Sequence, residues 1–132
     1  GSTKLPSTLW HALVKSNRSK PAAPALLSPQ QGISLSYSQL YDQCVGLSLG
    51  LKDRGVGPGS VVATDLPNVA EGILLHLACA RLGSAVATAK NVDMLGSIPN
   101  VKCAVTTGET SWLMPESSIL AGGGEMNDML RY

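Results

Sequence analysis

Few residues in this chain have the types and spacing that chemistry needs. The two histidines, His11 and His76, each stand alone inside a helical pattern. A catalytic histidine needs an orienting partner, so each reads as a helix-surface or satisfied core residue. Cys44, Cys79 and Cys103 are odd in number and far apart. No C-x-x-C pair is present for zinc or thiol exchange, and three buried free thiols in a reducing compartment are expected. The segment "GVGPGS" (55–60) has glycines of the kind that cradle phosphate. Such a loop must follow a strand and open a helix, because helix N-termini present free N–H groups. Here a helix precedes it and a strand follows, so a turn is expected. No catalytic, cofactor-binding or metal-binding residue is assigned.

The elements that would position these residues follow from periodicity. Ser7 or Thr8 can cap a first helix over roughly 9–17, with Leu9 and Leu13 on one face, Trp10 and Val14 beside it, and Lys20-Pro21 as its stop. Two apolar runs, Ala25–Ser28 and Ile33–Leu35, flank "PQQG" and predict a hairpin. "SYSQ" (36–39) is a capping box with Ser36 as N-cap and Gln39 three residues later. Leu40, Cys44, Leu47 and Leu51 then form one apolar stripe, and Gly55 suits the residue after the helix end. "SVVATDL" reads as a strand. "NVAE" (68–71) is a second capping box, opening a helix with Val69, Ile73, Leu77 and Ala80 on one face and Leu74 beside them, closed by Gly83. "SAVATA" (84–89) and "VKCAVTT" (101–107) are further strands, separated by the loop "NVDMLGSIPN".

Strands alternating with helices predict an α/β fold: a small three-layer domain with a mostly parallel sheet and helices on its faces. Gly1-Ser2 reads as a cloning scar, 5–110 as the single α/β domain, and 111–132 as a tail with a glycine hinge and a short helical end. A terminal segment of this kind frays or docks on its own domain. Its methionine-bearing face, Met126, Met129 and Leu130, together with Trp112, is the candidate contact for a protein partner.

Bulk properties limit the function classes. The chain has 132 residues, 44% apolar and 14% charged, with a formal net charge of +1. That composition suits a packed core rather than disorder. No Phe is present, so the core must be built from Leu, Val, Ala and Ile. The densest cationic cluster, "KSNRSK" (15–20), reads as a solvated helix end, and no nucleic-acid footprint is evident. No transmembrane stretch or signal peptide is recognised, and an intracellular, cytoplasmic address is expected.

The stretch "LSYSQLYDQCVGLSLGLKDRGVGPGSVVATDLPNVAEGILLHLACARLGSAVATAK" resembles the N-terminal portion of the adenylate-forming (AMP-binding) superfamily, especially acyl-CoA synthetases. The similar features are Ser36-Tyr37-Ser38-Gln39-Leu40, the turn Gly55 to Ser60, Leu66-Pro67-Asn68, and Arg81-Leu82-Gly83-Ser84. Weaker similarity runs from Leu9 to Val105. The resemblance implies the fold of that N-terminal subdomain. It also implies a parent reaction in which ATP activates a carboxylic acid and the acyl group passes to coenzyme A, with ATP, Mg and CoA bound outside this segment. The family's Ser/Thr/Gly-rich phosphate loop ending in lysine has only a distant imitation in "TTGETSWLMP" (106–115), which reads as a polar surface loop.

Two departures mark the chain as diverged. "NVDMLGSIPN" replaces a full crossover helix, and Ser60 stands where the family has Asp. The first functional reading is therefore a non-catalytic scaffold or protein-interaction module, with a protein partner or self-association. The alternative is the excised N-terminal structural part of an active acyl-CoA synthetase. A third is small-ligand binding at the carboxyl ends of the sheet, near Thr64-Asp65 and Thr106-Thr107.

Overall fold

The computed structural model describes residues 2–3, 7–66, 70–88, 100–106, 118–120 and 124–130. In chain order these form β1 (Ser2–Thr3), α1 (Ser7–Ser19), β2 (Pro24–Ser28), a 3-10 turn (Pro29–Gln31), β3 (Ile33–Ser36), α2 (Tyr37–Asp53), β4 (Val61–Thr64), α3 (Ala70–Leu82), β5 (Ala85–Thr88), β6 (Val101–Thr106), β7 (Ser118–Leu120) and α4 (Gly124–Leu130). The main sheet has the order β1-β5-β4-β6-β7, and β2 and β3 form a separate antiparallel pair. Strands β5, β4, β6 and β7 run parallel, with β1 antiparallel at one edge. The fold class is the expected mixed α/β one, built on a parallel sheet with helices packed against it.

Local chemistry explains most element ends. Ser36 Oγ accepts from the Gln39 N–H (3.2 Å) and Gln39 Oε1 accepts from the Ser36 N–H (2.9 Å), so the capping box that starts α2 is fully formed. At the other end Gly55 lies in the left-handed region (φ 90°). The Val56 N–H reaches back to Leu51 O and the Gly55 N–H to Lys52 O. That pair of bonds is a Schellman stop, which satisfies two orphan carbonyls. The same pattern recurs at Gly83 (φ 72°), where the Ser84 N–H bonds Cys79 O. Helix α1 is two residues longer at each end than expected, and it still stops before Lys20-Pro21.

The core lies between the helices and one sheet face. Leu13 of α1, Leu40, Cys44, Leu47 and Leu51 of α2, Leu74, Leu75 and Leu77 of α3, and Met126 of α4 join Val62, Val86, Cys103 and Val105 in one cluster. The opposite face carries small residues, with Ala63 and Ala104 packed beside Val101. Val101 and Ala104 share that face, although three positions apart, because β6 bulges between its pairings to Val61 and Val62.

Helix α3 departs from the expected single stripe. Leu75 and Ala78 are fully buried along with Leu74, Leu77 and Ala80, while Ile73 is only half-buried and Val69 lies outside the described residues. The helix packs against α1, α2 and β5 together, so most of its circumference is interior. Polar side chains tie the three helices at one place. Arg81 donates to Ser48 Oγ (2.8 Å), and Ser48 donates to Val45 O (2.7 Å). The Arg81 guanidinium also sits 5.8 Å from the Trp10 ring centre, and Trp10 stacks on Tyr41 at 5.3 Å.

Candidate functional site at the carboxyl edge of the sheet

Strand β4 lies between β5 and β6. The chain leaves β4 through α3 to reach β5 on one side, then returns to β6 on the other. That reversal is a topological switch point, the usual ligand crevice of open α/β sheets. The carboxyl ends of β4 and β6 bring Thr64, Asp65 and Thr106 to it. Thr106 Oγ1 donates to Asp65 Oδ2 (3.2 Å), which ties the two strand ends together. Thr64 Oγ1 accepts from the Leu66 N–H (3.0 Å) and shapes the exit toward α3. Both threonines are buried. Thr107 lies outside the described residues.

The first turn of α3 sits beside this edge. Its Ala70 N–H donates to Gln31 Oε1 (3.1 Å), and Gln31 Nε2 donates to Glu71 Oε2 (3.1 Å). The expected capping box at this helix pairs Glu71 with Asn68, and Asn68 lies outside the described residues. The Gln31 contact was invisible in the sequence. "PQQG" signals only a turn, and nothing in its composition points 39 residues ahead.

Among the described residues the edge has limited chemical capacity. It presents carboxylates and hydroxyls engaged in hydrogen bonds. No described residue there supplies the cation or the glycine-rich amide nest that a triphosphate needs. "GVGPGS" lies at the amino end of β4, away from this edge, as its order in the sequence required. Ser60 Oγ accepts from the Gly57 N–H (3.2 Å), so the serine closes that turn despite the missing acid. Among the described residues no group of His, Cys, Asp and Glu could hold a metal ion.

The remaining candidates are placed apart from the edge. His11 is exposed on α1. His76 is half-buried on α3, with its Nδ1 buried and lacking a hydrogen-bond partner, and burial lowers its pKa. The three thiols are free and buried. Burial pushes Cys44 up to about 12 and Cys79 up to about 11, and it raises Cys103. None is a thiolate nucleophile at neutral pH.

The expected partner-contact residues divide. Met126 is completely buried in the core, and Met129 and Leu130 are half-buried against it. Met129 packs onto Gly50 of α2 so closely that a methyl group there would meet its Sδ at 2.5 Å. The methionine face is thus occupied by the chain's own α2. Trp112 lies outside the described residues. The segment read as a tail adds β7 to the sheet and α4 to the helical layer. Among the described residues no helix is long and apolar enough to cross a membrane.

Comparison with known proteins is consistent on one family. Residues 13–92, more than half of the chain, match the family described as "AMP-binding enzyme". The 4-chlorobenzoate–CoA ligase of Arthrobacter sp is 35% identical over 77 residues, covering 58% of this chain and 15% of the ligase. The salicylyl-CoA synthase / salicylate adenylyltransferase of Streptomyces sp is 45% identical over 51 residues, covering 39% of this chain and 9% of that enzyme. In three dimensions the N-terminal domain of FACL13 from Mycobacterium tuberculosis is similar, with a TM-score of 0.74 at 17% identity. That match covers 93% of this chain and 36% of the other. The NpsA N-terminal subdomain of Klebsiella oxytoca, solved with anthranilyl-AMSN, gives a TM-score of 0.66 at 16% identity, covering 93% of this chain and 32% of that one. The chain therefore spans a small fraction of the curated relatives it matches, and these structural likenesses concern the fold.

Proposed function

The chain belongs to the AMP-binding enzyme family, and from that premise we propose that it is the N-terminal structural subdomain of an ATP-dependent acid–CoA ligase. In this reading the parent protein joins a carboxylic acid to coenzyme A through an acyl-adenylate. This subdomain contributes a rigid sheet and its carboxyl edge, and ATP, Mg and CoA are bound by other parts of the protein. The observation that carries the reading is where the family match falls. It runs from α1 to just beyond β5. There, Ser36, Gln39, Ser60, Gly55 and Gly83 serve caps and turns rather than a reaction centre. No chemical step is assigned to the described residues at the carboxyl edge, Thr64, Asp65 and Thr106.

A protein-binding scaffold is the competing reading, and self-association belongs with it. Its support is the pair of departures in the sequence. Its natural contact is an exposed sheet edge or the methionine-bearing segment, whose Met126 and Met129 pack on the chain's own core and α2. One experiment separates the two. The parent gene is read beyond Tyr132 and its product assayed for acid-dependent ATP–pyrophosphate exchange, while this chain alone is heated with ATP, AMP or CoA. Exchange by the parent protein, with no thermal shift of the chain alone, supports the structural-subdomain reading. An inert parent lacking a Ser/Thr-Gly loop that ends in lysine overturns it in favour of the scaffold. A thermal shift of the isolated chain with ATP, AMP or CoA shows that this chain itself binds the ligand and overturns the purely structural reading.

A further inference from the structure

The tip of the β2–β3 hairpin makes an arrangement that the proposed function does not use. Gln31 Oε1 accepts two hydrogen bonds, from Ser28 Oγ (2.8 Å) and from the Ala70 N–H (3.1 Å). Its Nε2 donates to Glu71 Oε2 (3.1 Å). The Ala70 N–H is one of the first-turn amides that a helix cannot satisfy internally. Gln31 therefore caps α3 from a different element. The role needs both ends of the amide, because one atom must accept from the helix while another donates to a carboxylate. A glutamate at this position would lose the donor and face Glu71 with a like charge.

The hairpin is held differently at its base. The Tyr37 N–H bonds Ala23 O and the Ser38 N–H bonds Pro21 O, both at 3.0 Å, and Leu26 is buried in the core. Between the hairpin and α3 lies a cleft of about 170 Å³. Ile33 and Leu35 form its hairpin wall, Ala70, Glu71 and Leu74 its α3 wall, and Gln43 of α2 and Leu130 of α4 complete it. The base is thus anchored to α2, and among the described residues the hydrogen bonds from the tip to α3 run through Gln31.

We propose that the β2–β3 hairpin is a strap over the first turn of α3, with Gln31 as its latch. Releasing the latch frays the start of α3 and opens the apolar cleft in a single local event. The event is independent of global unfolding, because the hairpin base and the α3 interior keep their own contacts.

Amide hydrogen exchange on the Gln31→Ala chain tests this directly. The Ala70 amide is expected to exchange about five- to tenfold faster, the loss that removing an N-cap produces. Leu77 and Ala78, in the interior of α3, and Leu40, in α2, are expected to stay close to their unaltered rates. A hydrophobic dye such as ANS is expected to bind more strongly as Ile33, Leu35 and Leu74 become accessible. Ser28→Ala removes only the hydroxyl that steadies Gln31 Oε1, so it keeps the fold and is expected to give a smaller change at the same amide. Unchanged Ala70 exchange in both variants overturns the latch. Uniform acceleration across α2 and α3 also overturns it, since the residue would then act on global stability alone.

Discussion

Helix α2 starts on groups three residues apart, whereas among the described residues the first turn of α3 is capped by a side chain 39 residues away. The two helices otherwise share much. Both end in a Schellman stop at a glycine with positive φ, and both bury a thiol and several leucines in the same cluster. Apart from the fuller burial of α3, their difference lies in the first turn. A local cap forms as soon as the helix does, and it needs nothing from the rest of the fold. A cap delivered from the hairpin exists only after the hairpin has docked. The start of α2 is set by sequence neighbours, and the described bonds at the start of α3 depend on tertiary structure.

The largest expected effect comes from the element that depends most on distant contacts. Helix α4 has seven residues, too short to persist alone, and it is held by Met126 in the core and by Met129 against Gly50. Met126→Ala is expected to lower unfolding free energy by about 2–5 kcal/mol in a urea titration. It should deprotect α4 while leaving the Ser36 cap intact. A change below about 0.5 kcal/mol would mean that α4 contributes little to the core, and the contrast with α2 would lose its strongest member.

The shared interior can be tested by raising the pH. Cys44 lies in α2 and Cys79 in α3, and burial holds both above the ordinary thiol value of 9.0. Their folded pKa values are raised, so their contribution to stability is complete below about pH 9. It is lost as pH rises from there toward 11 and 12, because the unfolded thiols ionise first. One pH unit above the unfolded value, each thiol withdraws about 1.4 kcal/mol. Unfolding midpoints at pH 8, 9 and 10 check this. Replacing Cys44 with Ala should flatten part of the alkaline loss, with Cys79 and the buried Cys103 carrying the rest. Replacing Cys79 should flatten it to a similar extent if the two helices bury their thiols alike.

What could be read in advance follows the same division. The α2 stripe, the Ser36–Gln39 box, the stops at Gly55 and Gly83, the hairpin and the three central strands all rest on residues within a few positions of one another. Periodicity and cap chemistry expose such features directly. The fuller burial of α3 was less legible. A stripe predicts one partner, and only the packed fold shows that Leu75 and Ala78 face others. Gly50 carried no signal either, since a glycine inside a helix does not announce what will rest on it, and here it is the Met129 side chain. At the carboxyl edge the strand-end threonines and Asp65 were foreseen as neighbours of the crevice, while the bond between Thr106 and Asp65 required the register of β4 against β6.

The smallest effect is the most discriminating. Ser36→Ala removes the hydroxyl that accepts from the Gln39 N–H, while the Gln39 side chain still accepts from residue 36, and a cost of about 1 kcal/mol is expected. Gln31→Ala removes the corresponding acceptor at α3 and should cost a similar amount. Ser36 ends β3 and Gln31 closes the turn before it, so the two positions sit at the base and tip of one hairpin. If the two helix starts are independent, the double variant should show additive losses within about 0.5 kcal/mol. The Ser36 cap acts within α2 alone, and the latch acts across the hairpin tip, so additivity is the expected result. A coupling above about 1 kcal/mol would mean that fraying α2 at its first turn also loosens the strap, and the two starts would then be one cooperative unit.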